Sequence, residues 1–242
     1  MVRWMRLTVI NDNKANPPLL NDWGGWSVLI ETDKWVLLYD ANTEPRVMEY
    51  NIKALNIDHG KIDAAFLSHY HADHYGGGFR YIGEIKKGGL VVYVPETDNT
   101  LGRWGGLNPV VVSDPREILE DTITTGVMRG GMGVNEHSLI IKLNGYGSVI
   151  VVGCSHPGID NIVKRGGYGL FGDVYLVVGG FHGPTRQQLD SVAKYSRYVC
   201  PAHCSGDEAR HYVSTRYPGK YCDVRTGSIL NLPITGLTQN SP

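Results

Sequence analysis

The segment His69-Tyr70-His71-Ala72-Asp73-His74 narrows the fold of this chain more than any other, because it sets four metal-type donors directly behind a hydrophobic run. That run, residues 62–68 (Ile-Asp-Ala-Ala-Phe-Leu-Ser), reads as a buried strand. The histidines therefore fall on a loop at a strand's C-terminal end. On an extended or turning backbone, residues two apart point the same way. His69 and His71 can then grip one ion while Asp73 and His74, past the bend, face a neighbouring one. Imidazole suits Zn²⁺, Fe²⁺ and Mn²⁺ alike, and a carboxylate hardens the second position, so the spacing is that of a two-metal site. In a chain with nine histidines, chance produces such a cluster about once in a thousand sequences.

Around this loop the hydrophobic pattern alternates between strands and helices. Residues 7–10, 26–31 and 35–39 read as strands, the last two joined as a hairpin by Thr32-Asp33-Lys34. Pro45 opens an amphipathic helix that ends near Asn56. Further strands are expected at 90–94, 109–113, 122–127, 138–143 and 148–153, then at 174–179, 198–201 and 223–229. Helices are expected at 158–164, 185–195 and 206–216. Meanders first and alternating strands and helices later suggest two sheets packed face to face with helices outside, a four-layer αββα sandwich of α/β (α+β) class. No linker, low-complexity tract or repeat interrupts the chain, so one domain over 1–242 is the simplest account.

Composition removes several alternatives. Hydrophobic residues make up 42% and charged residues 19%, which argues against disorder. Lys+Arg 23 against Asp+Glu 24 leaves a net charge of −1, which argues against a nucleic-acid partner. No run reaches the ~18 apolar residues needed to span a bilayer, and charge interrupts the first residues before any signal-peptide core. The expectation is a soluble, cytoplasmic protein acting on a small molecule without a membrane partner, its oligomeric state left open. The cysteines, Cys154, Cys200, Cys204 and Cys222, are too few and too late for a disulfide framework and read as buried free thiols, although their even count leaves room for one bridge.

H-x-H-x-D-H at a strand end, followed by a Gly pair and a helix, resembles the signature of the metallo-β-lactamase fold superfamily. Three later segments narrow the likeness: Gly153-Cys154-Ser155-His156-Pro157-Gly158-Ile159, Gly179-Gly180-Phe181-His182 and Pro201-Ala202-His203-Cys204-Ser205-Gly206. In that order they are similar to the subfamily named for 7,8-dihydropterin-6-yl-methyl-4-(β-D-ribofuranosyl)aminobenzene 5′-phosphate synthase. The resemblance spans nearly the whole chain. It implies that His69, His71 and His156 bind one metal and that Asp73, His74 and His203 bind the other, with zinc the first candidate and iron or manganese the alternatives. Where superfamily members usually place a bridging Asp, this chain has Gly153-Cys154, so either the Cys154 thiolate or solvent bridges the ions.

Other candidates follow from position. Asp73 and His182 are the expected catalytic groups, His182 as ligand, general acid or substrate clamp, with a purely structural role equally open. Asp40, ending its strand, fits an acceptor that orients a ligating imidazole. His137 approaches the site from the adjoining sheet or, as expected, supports it from behind. Trp23, Trp26 and Trp104 could stack a flat ring and Arg103 could meet a phosphate, consistent with the pterin and phosphate substrates that the subfamily name implies; packing at the rim of the core is the competing role for the tryptophans. His59 and His211 read as surface residues.

Two divalent ions make hydrolysis the default chemistry; the subfamily name implies instead a condensation that expels diphosphate. An oxygen-reducing di-iron protein of this fold would carry Glu where His71 stands and a flavin partner domain. An RNA-processing nuclease would need a basic channel. A non-catalytic metal-binding sensor is the remaining rival.

Overall fold

The computed structural model describes residues 1–22, 24–98, 100–167 and 172–234. In chain order the strands are β1 (Met5–Asn11), β2 (Ser27–Thr32), β3 (Val36–Tyr39), β4 (Ala64–Phe66), β5 (Leu90–Val94), β6 (Leu107–Val111), β7 (Arg116–Leu119), β8 (Thr122–Thr124), β9 (Met128–Arg129), β10 (Asn135–Glu136), β11 (Leu139–Leu143), β12 (Gly147–Val152), β13 (Val174–Gly180), β14 (Ser196–Ala202) and β15 (Ile229–Leu232). The helices are α1 (Pro45–Ala54), α2 (Ala72–Tyr75), α3 (Gly77–Ile85), α4 (Ile159–Gly166), α5 (Arg186–Tyr195) and α6 (Gly206–Arg216).

One sheet runs β15-β1-β2-β3-β4-β5-β6 and the other β14-β13-β12-β11-β8-β7. Each joins an antiparallel meander to a parallel part, β3 to β6 in the first and β12 to β14 in the second. Strand alternation sorts the side chains. Val28 and Ile30 of β2 enter the core between the sheets with Leu139, Val149, Val151 and Val178, while Leu29 faces the other way, toward Met48, Ile52, Phe79 and Ile82 of α1 and α3. On the far side, Ile150, Val177 and Val199 meet Ile162, Leu189 and Val213 of α4, α5 and α6. The layers are helix, sheet, sheet, helix, the αββα sandwich expected from the pattern.

Two local expectations fail. Residues 223–229 are not a strand: Gly227 has φ +88, Ser228 N–H donates to the Arg225 carbonyl, and the strand itself begins only at Ile229. That turn brings Thr226 Oγ1 onto the Asp12 amide at 2.9 Å. The reading of the cysteines as buried free thiols holds for Cys154, Cys204 is free but half-buried, and Cys200 and Cys222 are joined in a disulfide, the one bridge that their even count allows. Among the described residues, no helix is long and apolar enough to cross a membrane.

Candidate metal centre

Ligands of α/β sheets gather beyond the carboxyl ends of parallel strands, and here those ends from both sheets face one cleft. Beyond β4 come Ser68, His69, His71, Asp73 and His74, and beyond β3 comes Asp40. From the second sheet come Cys154 and His156 after β12, His182 after β13, and His203 and Cys204 after β14. Register explains the first cluster: Tyr39 pairs with Phe66, and the Asp40 amide donates to the Phe66 carbonyl at 2.8 Å, which sets Asp40 beside Ser68.

The donors form three groups whose ligand atoms each lie within 4.8 Å of one another, and the two that match the expected ligands are His69, His71 and His156, and Asp73, His74, Cys154 and His203. In the first, His69 Nε2 and His156 Nε2 are 3.3 Å apart. In the second, Cys154 Sγ is 3.2 Å from His74 Nε2 and 3.3 Å from His203 Nε2, and Asp73 Oδ2 is 3.3 Å from His203 Nε2. The His69 and His74 ring centroids, 4.2 Å apart, join the groups.

Three imidazoles are tied at the nitrogen that faces away from the cleft. His74 Nδ1 donates to Asp40 Oδ2 at 2.7 Å, and His203 Nδ1 meets Asn13 Oδ1 at 3.1 Å. Ser68 Oγ donates to Asp40 Oδ2 at 2.8 Å, which leaves its lone pair for His69 Nδ1 at 2.9 Å. With Nδ1 carrying the proton, the Nε2 lone pairs of His69 and His74 point inward, the tautomer that metal binding requires, and His203 takes the same form once its second proton leaves. Converging lone pairs, a carboxylate and a thiol make a donor set that fits divalent cations, the Asp73 carboxylate its hardest member and the Cys154 thiol its softest.

The charge states agree with that fit. Burial pushes His69 well below its usual range, with His74 adding to it, and pushes His156 down to about 4. Burial also lowers His71. All three are neutral donors at neutral pH. Burial would raise Asp73, but the His203 hydrogen bond and the nearby His74 outweigh it and hold the carboxyl well below the usual range. Burial likewise works against His203, yet its bonds to Asp73 and Cys204 bring it up to about 10. Asp73 and His203 thus stand as an ion pair, and a cation bound there would replace the imidazole proton.

Several supports had no signal in the sequence. Buried Glu136 takes three consecutive backbone amides of the second-sheet loop, with Oε1 accepting from Cys154 (3.0 Å) and Ser155 (2.8 Å) and Oε2 from His156 (2.7 Å). Burial pushes its carboxyl up to about 7 against the pull of the Ser155 and His156 amides. Asp12 Oδ1 accepts from the His203 amide, and both Asp12 oxygens accept from buried Arg210. A Cβ at Gly153 would lie 2.1 Å from Ser68 Oγ, so only glycine lets the two sheets' loops approach this closely. Cys204, whose Sγ is 3.3 Å from Cys154 Sγ, was equally silent, although it adjoins His203.

Some expected residues lie elsewhere. His137 does not touch the donors with its ring: Nε2 donates to the Leu67 carbonyl at 2.8 Å, Nδ1 meets Thr124 Oγ1, and the ring stacks on Phe66. It fastens the two sheets just behind the loop. Trp26 is fully buried in the core between the sheets, so it offers no face to a substrate; its side chain had to fill space that the turn sequence does not reveal. Trp104 stacks on Tyr75 and packs against the α1 and α3 layer, while the adjacent Arg103 is exposed. Trp23 lies outside the described residues. His182 is exposed, its ring centroid 4.3 Å from that of His156, and its hydrogen bond with Cys204 raises it above the usual range. His211 is exposed, and His59 is half-buried with Nδ1 unpartnered among the described residues.

A four-layer sandwich with donors of this kind at its strand ends is the metallo-β-lactamase architecture, and the chain belongs to the metallo-beta-lactamase superfamily, whose family model matches residues 20–194. Among curated relatives is the 7,8-dihydropterin-6-methyl-4-(beta-D-ribofuranosyl)-aminobenzene-5′-phosphate synthase of Methanocaldococcus jannaschii. It is 27% identical, over 85% of this chain and 89% of the relative. A ribonuclease Z of Myxococcus xanthus is 26% identical over 70% of this chain and 48% of its own length. With a ribonuclease among the relatives, the expected exclusion of a nucleic-acid partner is not supported. A solved metal-dependent hydrolase of the beta-lactamase superfamily matches the fold with a TM-score of 0.74 at 24% identity, covering 93% of this chain and 98% of that one.

Proposed function

We propose that this chain is a metal-dependent hydrolase that works with two divalent ions, zinc first among them, on a small phosphate-bearing molecule. The observation that carries the reading is the meeting of two donor groups in one cleft, His69, His71 and His156 beside Asp73, His74, Cys154 and His203. When bound, the ions would supply an activated water and polarise the attacked oxygen.

The protein's part is orientation and proton handling. Asp40 and Ser68 hold His74 and His69 with their Nε2 atoms inward. Asp73 brings negative charge to offset that of the ions. His182, exposed beside His156, can hold a proton on its ring and pass it to a departing oxygen. Tyr75 and Trp104, stacked at 6.2 Å between ring centroids, offer an aromatic surface near His74, and exposed Arg103 could meet a phosphate.

The synthase relative favours a second reading in which the same donors stabilise a diphosphate leaving from a dihydropterin as an aminobenzene amine displaces it. Elemental analysis of protein purified without added metal should find two ions per chain. The metal-replete protein should then be screened against phosphodiesters, lactones, thioesters, β-lactams and dihydropterin diphosphates, the last with and without the aminobenzene acceptor. Turnover of phosphate compounds in water supports the hydrolase, and acceptor-dependent diphosphate release supports the transferase. Turnover confined to lactones or thioesters overturns the phosphate reading, and Asp73→Ala with full activity overturns the site.

A further inference from the structure

A third donor group in the cleft overlaps the two-ion reading at Cys154 and adds Cys204, which that reading does not use. Cys154, His182 and Cys204 bring their ligand atoms within 4.8 Å of one another, one residue from beyond each of the neighbouring parallel strands β12, β13 and β14. Cys154 Sγ and Cys204 Sγ are 3.3 Å apart. That is well beyond a disulfide bond of ~2.05 Å, and it lies inside the span of two thiolates that each sit ~2.3 Å from a common zinc ion.

The backbone is bent to make this group. His182 has φ +48 and His203, immediately before Cys204, has φ +49, left-handed conformations that non-glycine residues adopt at a cost. Both bends fall where β13 and β14 end, and they bring His182 and Cys204 to the Cys154 sulfur. Space is cleared for the sulfur as well: a Cβ at Gly180 would lie 2.6 Å from Cys204 Sγ and 2.9 Å from His203 Cδ2. The donors differ in kind from the remaining ones. Two sulfurs and an imidazole form a soft set, whereas His69, His71 and His156 are all imidazole and the Asp73 group includes a carboxylate.

We propose that Cys154, His182 and Cys204 form a thiolate-rich metal position that shares the Cys154 sulfur with the Asp73 group and selects thiophilic divalent ions such as Zn²⁺, Co²⁺ and Cd²⁺ over Mn²⁺ and Mg²⁺. It rests on the cleft being metal-binding and requires no hydrolysis. Because Cys154 belongs to both groups, an ion there is drawn from the carboxylate side toward sulfur, and thiol protons leave to solvent as it binds. His182 then serves as a ligand when this position is filled and is free as a proton carrier when it is empty.

The test is Co²⁺ titration of the reduced, metal-free full chain, read as thiolate-to-cobalt charge transfer in the near ultraviolet. The wild-type protein should show the band, Cys204→Ser should lose about half of its intensity, and a tenfold excess of Mn²⁺ should not displace the cobalt. A band of full intensity in Cys204→Ser, no band in the wild type, or displacement by Mn²⁺ overturns the proposal. X-ray absorption of zinc-loaded wild-type protein gives a reading free of any variant: two sulfur neighbours at ~2.3 Å on one zinc support the site, and one or none overturns it. The outcomes are separable from the hydrolase reading. A sulfur-rich ion in a chain that turns over no substrate upholds this site and sinks the hydrolase; turnover by a chain whose ions carry fewer than two sulfurs does the reverse.

Discussion

The two sides of the cleft hold their donors by different means. On the first sheet, His69 and His74 are oriented by bonds to their own rings, through Ser68 Oγ and Asp40 Oδ2, and a single backbone amide, that of Ser68, is held by Asp40 Oδ1 at 2.7 Å. On the second, the backbone itself is held: Glu136 takes the amides of Cys154, Ser155 and His156, Asp12 takes that of His203, and Ser155, His182 and His203 sit at positive φ. Loss of a ring partner detunes one ligand and, at Asp40, touches one backbone amide, that of Ser68. Loss of a backbone anchor releases a segment that carries several donors at once. The same job, aiming an Nε2 atom, therefore costs different things when disrupted on the two sides.

The largest effect is expected at Glu136. Glu136→Gln sets an amide NH₂ against at least one backbone N–H that now donates to a carboxylate, and a buried donor left without an acceptor costs ~1–3 kcal/mol. At pH 8, urea unfolding of Glu136→Gln should show a loss of about 2–3 kcal/mol, together with weaker metal retention at both groups, because His156 and Cys154 move together. Unchanged stability would mean that the loop is not held by this carboxylate.

The mirror experiment on the first side should be smaller and more selective. Asp40→Asn keeps the size of the side chain but replaces one acceptor oxygen by a donor facing His74 Nδ1 or Ser68. Changes of this kind typically cost ten- to a hundredfold in metal affinity, ~1.4–2.8 kcal/mol. Competition with a chromophoric chelator should show that loss on one ion with the other retained, and urea unfolding should show a smaller loss of stability than in Glu136→Gln, because one buried donor of Ser68 or His74 loses its acceptor. Equal loss of both ions would erase the distinction between ring support and backbone support.

The same contrast decides what could be read from the sequence. His69, His71, Asp73 and His74 share one loop, so their spacing alone announces them, and the order of elements, meanders first and then strands alternating with helices, points to the layers. His156, His182 and His203 lie one per strand end and were ordered only by resemblance to a family. Glu136 and Asp12 left no trace, because a carboxylate that accepts backbone amides from a distant loop has no local pattern. Trp26 misled for the opposite reason: next to glycines it looks like a rim residue, but packing between the sheets buries it completely. Strand 223–229 failed because the apolar pattern does not report the turn at Gly227 that delivers Thr226 to Asp12.

His137 lies between the two modes, since its ring fastens backbone of the first sheet while its chain belongs to the second, and it yields the smallest and most specific effect. Burial pushes its imidazole down to about 3, overcoming the Leu67 carbonyl, which pulls upward. In the unfolded chain a histidine titrates near ~6.5. As pH falls below that value the unfolded state takes up a proton that the folded state refuses until about pH 3. Its contribution to stability is thus fully present above ~6.5 and is lost as pH falls through this window, at up to ~1.4 kcal/mol per pH unit. His137→Gln keeps an N–H that can reach the Leu67 carbonyl and removes the titration. Denaturant unfolding of the metal-free protein at pH 7.5, 6.5, 5.5 and 5.0 should show the variant about 1 kcal/mol less stable at the top of the range, from the exchanged hydrogen bonds. Its slope below pH 6.5 should be shallower than wild type by up to ~1.4 kcal/mol per unit, so that the curves converge and then cross before pH 5.0. Parallel curves would show that the folded protein accommodates the charged ring, and that His137 does not clamp the sheets as a neutral strut.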